Sequence, residues 1–545
     1  MYSLKIMDNK FVWLFVIFAF VVIAGGCSHG KSQNGEFAES SNKLTDELIL
    51  ALGGEPDNGF DPTTGWGRYG SPLFQSTLLT YDKEFNIEKD LAVDYQVSDD
   101  GLEWIVTIRD DVIFTDGEPL TAEDIVFTYK TAKTSHSVID LTNMDKVEKV
   151  DPRTVKFTLR KRNSTFIYHL TNIGIVPKHA YDDSYSEHPV GSGPFQMVQW
   201  NKGQQLIVKA NPDYYGKKPY FKKLTFLFLS EDAAFAAARK GEVDVVSVPP
   251  SFAKEEINGM RLVQLESVDN RGIVLPYVPD EGKTVEGAPI GNDVTSHKEI
   301  RKAMNIAVDR EALIEGVVED FGTPAYTVAD HMPWWNPATV IDDGNMEKAK
   351  SLLDEAGWKV GAHGIRAKDG LKAAFTLYYP SNDQTRQSLS IAFAEMMKPL
   401  GIQVETKGKS WNELEQVMHA NPVMFGLGSH TPLELYNTFS STTRGNGLYN
   451  VNYYSNPVVD SYFEKALRAA SQKEAIKYWK KAQWDGETGF SFKGDASWVW
   501  LVNLDHLYFV RENLVIGEQK LQPHPHNWPV TEFIEDWHWK QQNSD

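Results

Sequence analysis

Between residues 224 and 248 the alternation of apolar and polar positions predicts a strand, a short helix and a second strand. Leu224 to Leu229 is an apolar run rich in Phe and Leu, too short for a helix and bounded by polar residues, so it reads as a buried strand. Ser230 then offers an N-cap, Glu231 and Asp232 fall in the first turn, Arg239 and Lys240 in the last, and Gly241 can close the helix. Val243 to Val248 follows as a β-branched strand. A crossover of this length favours parallel pairing with right-handed topology.

The same reading extends along the chain. Leu48 to Leu52 is a first strand, and the Gly, Pro, Asp and Asn of residues 53–62 force a loop after it. Trp104 to Arg109 alternates as a half-buried strand should. Asp110 to Pro119 reads as a strand and turn, and Thr121 with Asp124 forms a near capping box for the helix carrying Val126, Phe127 and Tyr129. Val150 to Leu159 is a further strand. The chain leaves and returns across two short segments here, which predicts an inserted domain over 81–187. After Leu265 the pattern becomes helix-rich. Ile300, Ala303, Met304, Ile306 and Ala307 share one helical face, Asp309 caps a second helix, and Asn345 caps a third that ends at Gly357. Leu371 to Tyr379 and Ser388 to Leu400 add a strand and a helix, so this region is an α/β lobe. Leu501 to Leu507 reads as a return towards the first lobe.

Composition narrows the function classes. The chain has 545 residues, enough for several well-buried cores, and a formal charge of −19, which argues against a nucleic-acid backbone or an anionic membrane surface as main partner. A single cysteine excludes an intramolecular disulfide and any Cys-cluster metal site. Lys5 and Lys10 precede an apolar run from Phe11 to Ile23, and Ala24-Gly-Gly-Cys27 follows, which is the order of a secretory signal rather than of a membrane span. Residues 1–26 are therefore expected to be a signal peptide. Residues 27–45, small and polar, are expected to be a flexible tether.

Catalysis lacks a named residue. Gly191-Ser-Gly-Pro has neither the Gly-x-Ser-x-Gly spacing nor the following helix of a nucleophile elbow, so it reads as a turn. The chain contains no His-Glu-x-x-His, no Gly-x-x-x-x-Gly-Lys loop and no Gly-x-Gly-x-x-Gly after a strand. The acidic run beside Gly101 lacks the alternating oxygen ligands of a calcium loop.

Three segments, Gly191-Ser-Gly-Pro-Phe195, Asn211-Pro-Asp-Tyr-Tyr-Gly216 and Ala237-Ala-Arg-Lys-Gly-Glu-Val-Asp244, resemble the peptide/nickel class of solute-binding proteins, family 5, that feed ABC importers. Asp61-Pro62, Val97-Ser-Asp-Asp-Gly101 and Ile300-Arg-Lys-Ala-Met-Asn-Ile-Ala-Val-Asp-Arg310 extend the resemblance over nearly the whole mature chain. It implies an α/β fold of the two-lobed periplasmic-binding-protein type II kind, a Venus flytrap, with an additional inserted α+β domain. Lobe I would comprise 46–80, 188–264 and 491–545, the inserted domain 81–187, and lobe II 265–490. Cys27 then resembles a lipobox cysteine, with Ala24 where Leu is usual, and would hold the protein outside the cytoplasm on a lipid. The implied partners are an ABC permease with its ATPases, the membrane through that lipid, and a captured solute. Nucleic acid is not among them, and the chain is expected to act as a monomer without a resident cofactor.

Closing two lobes over a solute buries it without covalent chemistry. Such a cleft needs aromatic walls and a few charges whose desolvation the ligand offsets. The candidates are Trp66, Arg68, Tyr69, Trp334, Trp335, Trp411, His430, Tyr436, Arg444, Trp498 and Trp500. Each Trp has core packing as its competing reading, and each Arg a surface charge. In peptide-binding relatives the stretch matching Phe425 to Tyr436 carries an Asp for the peptide's ammonium. Here His430 stands near that place, and Glu434 is the only carboxylate. An oligopeptide is the first expectation for the ligand. Nickel or a nickel chelate is the alternative, with His430, His524 and His526 as candidate metal ligands, since imidazole suits Ni²⁺ and Arg can hold a chelate's carboxylates. A ligand-sensing or hydrolytic protein on the same scaffold is the third.

Overall fold

The computed structural model describes residues 46–70, 72–135 and 139–540. The expected signal peptide, the tether and Cys27 lie outside the described residues. Among the described residues, no helix is long and apolar enough to cross a membrane.

A seven-stranded sheet forms the first lobe, in the order Met260–Leu265, His506–Arg511, Val245–Val248, Glu47–Ala51, Lys223–Leu227, Gln205–Ala210, Phe195–Asn201. The helix Glu231–Arg239 forms where its caps predict it, with the Ser230 side chain accepting from the Ala233 amide. The two strands it joins do run parallel, but they are not neighbours. Glu47–Ala51 lies between them and pairs in parallel with both. The crossover therefore spans one strand, and the helix packs Phe235, Ala237 and Ala238 against Val243, Val246 and Phe509.

The second lobe is built on a six-stranded sheet, in the order Gly322–Pro324, Trp498–Leu504, Asn270–Val274, Val423–Leu427, Ala374–Pro380, Gln403–Lys409. Helices Lys298–Ala307, Arg310–Val317, Met346–Glu355 and Gln384–Met397 supply much of one core with Ile300, Met304, Leu313, Leu353 and Phe393. The expected return to the first lobe at 491 falls later. Trp498–Leu504 pairs with Asn270–Val274 in the second sheet, and the crossing is made at Asp505. A strand buried on both faces, as Trp-Val-Trp-Leu-Val-Asn-Leu is, shows no alternation to mark where one sheet ends and the next begins.

The region 81–187 contains a four-stranded antiparallel sheet, Ala92–Val97, Glu103–Ile108, Thr154–Leu159, Met144–Asp151, covered by helix Ala122–Thr134. The capping box at Thr121 and Asp124 is present. The strand expected over 150–159 is instead a hairpin that turns at Pro152-Arg153, because Asp151 accepts the Arg153 amide and closes the turn. The strand expected within 110–119 is reduced to an isolated bridge between Ile113 and Pro119.

The chain crosses between the two lobes at 266–269 and again at Asp505. These crossings are tied together by Leu504 N to Asp269 O at 2.9 Å and Gln264 Nε2 to Asp505 Oδ2 at 2.6 Å. A third segment near the carboxyl end runs alongside, with Val268 N donating to Gln522 O at 2.8 Å. Opposite the crossings, Ser164 caps the end of helix Pro457–Leu467, its amide reaching Leu467 O at 2.7 Å and its hydroxyl Ala466 O at 2.8 Å.

Candidate functional site

A group of buried charges lies where the loop 66–70, the strands Asn270–Val274 and Val423–Leu427, and the segment 520–528 meet. Asp269 is buried at the first crossing and pairs with Arg271 Nη1 at 2.5 Å, with His524 Nδ1 at 2.5 Å and with His506 Nε2 at 3.6 Å. Burial opposes its charge, but Arg271 and His524 outweigh that and hold the carboxyl well below the usual range. Arg271 and Asp269 are two residues apart in extended backbone and so share a face.

Arg386 stands beside Arg271. It sits in the first turn of helix Gln384–Met397, where its amide is bonded to the capping Asp383 and its guanidinium reaches the same carboxylate at 2.9 Å. A Cβ on Gly426 would lie 2.6 Å from Arg386 Nη2 and 2.7 Å from Arg271 Nη1, so glycine is what lets two guanidinium groups stand side by side over this strand. Both arginines are under a tenth exposed, and among the described residues the Nε of each has no hydrogen-bond partner. Burial, and then repulsion from Arg271, lowers Arg386 to about 10.

The loop 66–70 brings a third guanidinium. Arg68 lies 4.4 Å from the Tyr69 ring centroid and donates to the Tyr69 hydroxyl. Tyr69 in turn packs at 5.7 Å from His526 and 6.2 Å from His524. Burial pushes His526 down to about 3, with His524 and Arg68 adding to it, so this imidazole is neutral. Glu434 accepts from the amides of Ser429 at 2.9 Å and Gly428 at 3.4 Å, and burial raises it to about 7 against the pull of those amides and of Arg68. At neutral pH part of the population therefore has Glu434 uncharged, leaving Asp269 and Asp383 as the anions among three arginines. Such an arrangement accepts an anion.

The candidates from sequence separate into groups. Arg68, Tyr69, His524 and His526 come together in this cluster, and Trp411 joins it through Arg386, whose guanidinium lies 5.7 Å from its ring. His430 is buried at the rim, its Nε2 donating to Leu521 O at 2.9 Å and its ring 4.7 Å from Phe85. Burial holds it well below the usual imidazole range, so the ring is neutral, and the bond from Nε2 fixes the tautomer with Nδ1 unprotonated. Trp66 is core, packed on Phe60 and Trp528 with its Nε1 on Pro72 O. Trp498 and Trp500 stack at 4.4 Å inside the second lobe, where Trp334 is also buried. Trp335 lies against His331, Tyr436 hydrogen-bonds Thr442, and Arg444 is exposed with its Nε on Ser441 O. Among the described residues, none of these seven meets the arginine cluster. Among the described residues no group of three His, Cys, Asp or Glu is placed to hold a metal ion.

Asp269, Arg271 and Arg386 were missed from sequence, although they carry a signal. An Asp just before a buried strand with an Arg as its second residue, and an Arg three residues after a helix-capping Asp, are positions where burial demands a partner.

The comparisons agree with this architecture. A family model described as bacterial extracellular solute-binding proteins, family 5 Middle, matches residues 86–447. Protein XP55 of Streptomyces lividans is 32% identical over 91% of this chain and 90% of its own length. Among solved structures, the oligopeptide-binding protein AppA of Bacillus subtilis in complex with a nonapeptide matches at 25% identity with a TM-score of 0.70, covering 91% of this chain and 99% of that one. NikZ of Campylobacter jejuni in complex with Ni(L-His) matches at 24% identity with a TM-score of 0.76, covering 90% and 99%.

Proposed function

The chain belongs to the bacterial extracellular solute-binding proteins, family 5, and from that premise we propose that it captures a carboxylate-bearing solute, an oligopeptide in the first instance, and delivers it to the permease of an ABC importer. The observation that carries the reading is the pair Arg271 and Arg386, buried side by side over Gly426 with an unpartnered Nε on each. A carboxylate accepts bidentately from a guanidinium and relieves the repulsion between two of them. The similarity to AppA, whose structure holds a nonapeptide, supports peptide as the carrier of that carboxylate. Arg68 and Tyr69 supply the facing wall, Trp411 the aromatic surface behind Arg386. Cys27 tethers the protein through lipid at the outer face of a membrane.

A nickel chelate is the second reading. The same guanidinium groups would hold the carboxylates of a chelate, and the neutral His526 next to Tyr69 could contribute an imidazole to its metal. Purification without chelators, followed by native mass spectrometry and elemental analysis of the bound solute, separates the two. Peptides without metal are the expected result. Stoichiometric nickel would replace the peptide reading, and a co-purified solute without any carboxylate would overturn both.

A further inference from the structure

A cavity of about 520 Å³ begins at Arg68 and His430 and runs past Tyr81 to the segment 532–536. Its charges are arranged differently from those around Asp269. The lysines on its wall are already engaged, Lys520 with Glu532, Lys217 with Asp536 and Lys83 with Glu518. Asp90 and Glu535 are not. Among the described residues neither is in an ion pair; Asp90 accepts from the Tyr215 hydroxyl at 2.5 Å and Glu535 from the Tyr214 hydroxyl at 3.4 Å. Three further oxygens on the lining residues are buried without a partner among the described residues: Gln75 Oε1, Ser76 Oγ and Glu532 Oε2. Gln75 is 1% exposed, Ser76 5% and the Glu532 side chain 10%.

From this geometry we propose that the cavity is a second subsite, which takes a cationic group of the solute, a primary ammonium or a guanidinium. The proposal rests on the solute-binding reading, but it uses none of the residues that carry the carboxylate. The lining offers acceptors in excess and two carboxyls that, among the described residues, are in no ion pair; an ammonium brings three donors and a guanidinium five. An anion would face Asp90 and Glu535 directly. An apolar group would strip Asp90 and Glu535 of solvent without giving either a donor.

Titration of the two carboxyls fits. Burial raises Asp90 to about 6, with Tyr215 and Arg109 pulling the other way, and burial raises Glu535 to about 7, with Asp536 and Asp90 adding to it and Tyr214 opposing. Without a cation the cavity therefore holds protons that a bound cation would expel, so affinity should rise with pH through this range.

Calorimetric titration of the full chain with agmatine, which carries both an ammonium and a guanidinium, tests the proposal. 1,4-Butanediol serves as the neutral control. Saturable binding of agmatine alone is expected, with proton release seen as a buffer-dependent heat. Asp90→Asn with Glu535→Gln should weaken it about tenfold or more. The absence of saturable binding to the wild-type chain, binding without proton release, or equal affinity in the double variant would overturn the proposal. Loss of carboxylate binding in Arg271→Gln with agmatine binding kept would bear on the proposed solute alone. Proton release by the wild-type chain decides the matter even if the double variant fails to fold.

Discussion

Two buried polar clusters lie on either side of Arg68, and they treat charge in opposite ways. Around Asp269 the carboxylate is matched by Arg271 and His524 at 2.5 Å, and its proton affinity falls. In the cavity beyond Arg68, Asp90 and Glu535 accept from the phenols of Tyr215 and Tyr214 and, among the described residues, form no ion pair, and their proton affinity rises. The first cluster is complete in its anion and surplus in cations; the second is surplus in acceptors. A fold that needed these groups only for stability would pair the surplus of one with that of the other. Keeping them apart costs stability, and such a cost is ordinarily retained where a ligand completes the arrangement.

The largest effect should come from Asp269→Ala. It leaves Arg271 buried without its anion and also strips His524 of its acceptor, for a loss of roughly 3–5 kcal/mol. The matching change in the other cluster, Glu535→Gln, should be neutral or stabilising near neutral pH, because it replaces a buried carboxyl that has no cation by an amide of the same shape. Urea unfolding of the two variants side by side measures the contrast. Equal destabilisation would remove the distinction between the clusters.

Smaller, and directed at binding, are changes beside Arg271. Arg386→Gln should weaken a carboxylate ligand by roughly 1.5–3 kcal/mol, the worth of a charged hydrogen bond. Gly426→Ala drives a methyl into both guanidinium groups and should reduce affinity as well, with a stability loss of about 1–3 kcal/mol from overpacking. Titration with the co-purified solute reads both. Full affinity in Gly426→Ala would mean that the arginine pair does not touch the ligand.

Much of the fold was legible because its signals are local. The cap at Ser230, the capping box at Thr121 and the Asp309 and Asn345 caps are satisfied as the sequence implies. What was not legible depends on pairing between distant segments. Nothing near Trp498 says that its strand joins the second sheet rather than the first, since both faces are buried and period two is lost. The candidate site divides the same way. Arg68 and Tyr69 stood out beside a loop rich in Gly and Pro, whereas Arg271 and Arg386 become a pair only through Gly426, some forty positions from one and far more from the other, on a strand between them. Aromatic abundance misled for the opposite reason: Trp66, Trp498 and Trp500 fill cores, which is what most large apolar rings do.

The smallest expected effect concerns pH, and its sign differs between the clusters. Glu535 rises from an ordinary 4.5 to about 7 in the folded chain, and Asp90 from 3.8 to about 6. The unfolded chain then releases these protons first as pH increases. Their contribution to stability is present below the ordinary values and is lost as pH climbs through the folded ones. Asp269 is depressed instead, so its contribution is present above its ordinary 3.8 and is lost as pH falls below that value. Glu535 and Asp90 therefore make stability decline towards neutral pH, whereas Asp269, together with the buried neutral His430 and His526, makes it decline towards acid. Combining Asp90→Asn with Glu535→Gln should flatten the decline towards neutral pH and leave the acid limb in place, because the groups that set that limb are untouched. Thermal unfolding across the pH range checks this. A decline on the neutral side that survives the double substitution would assign it to other groups, and Glu434, raised to about 7 beside Arg68, would be the next to replace.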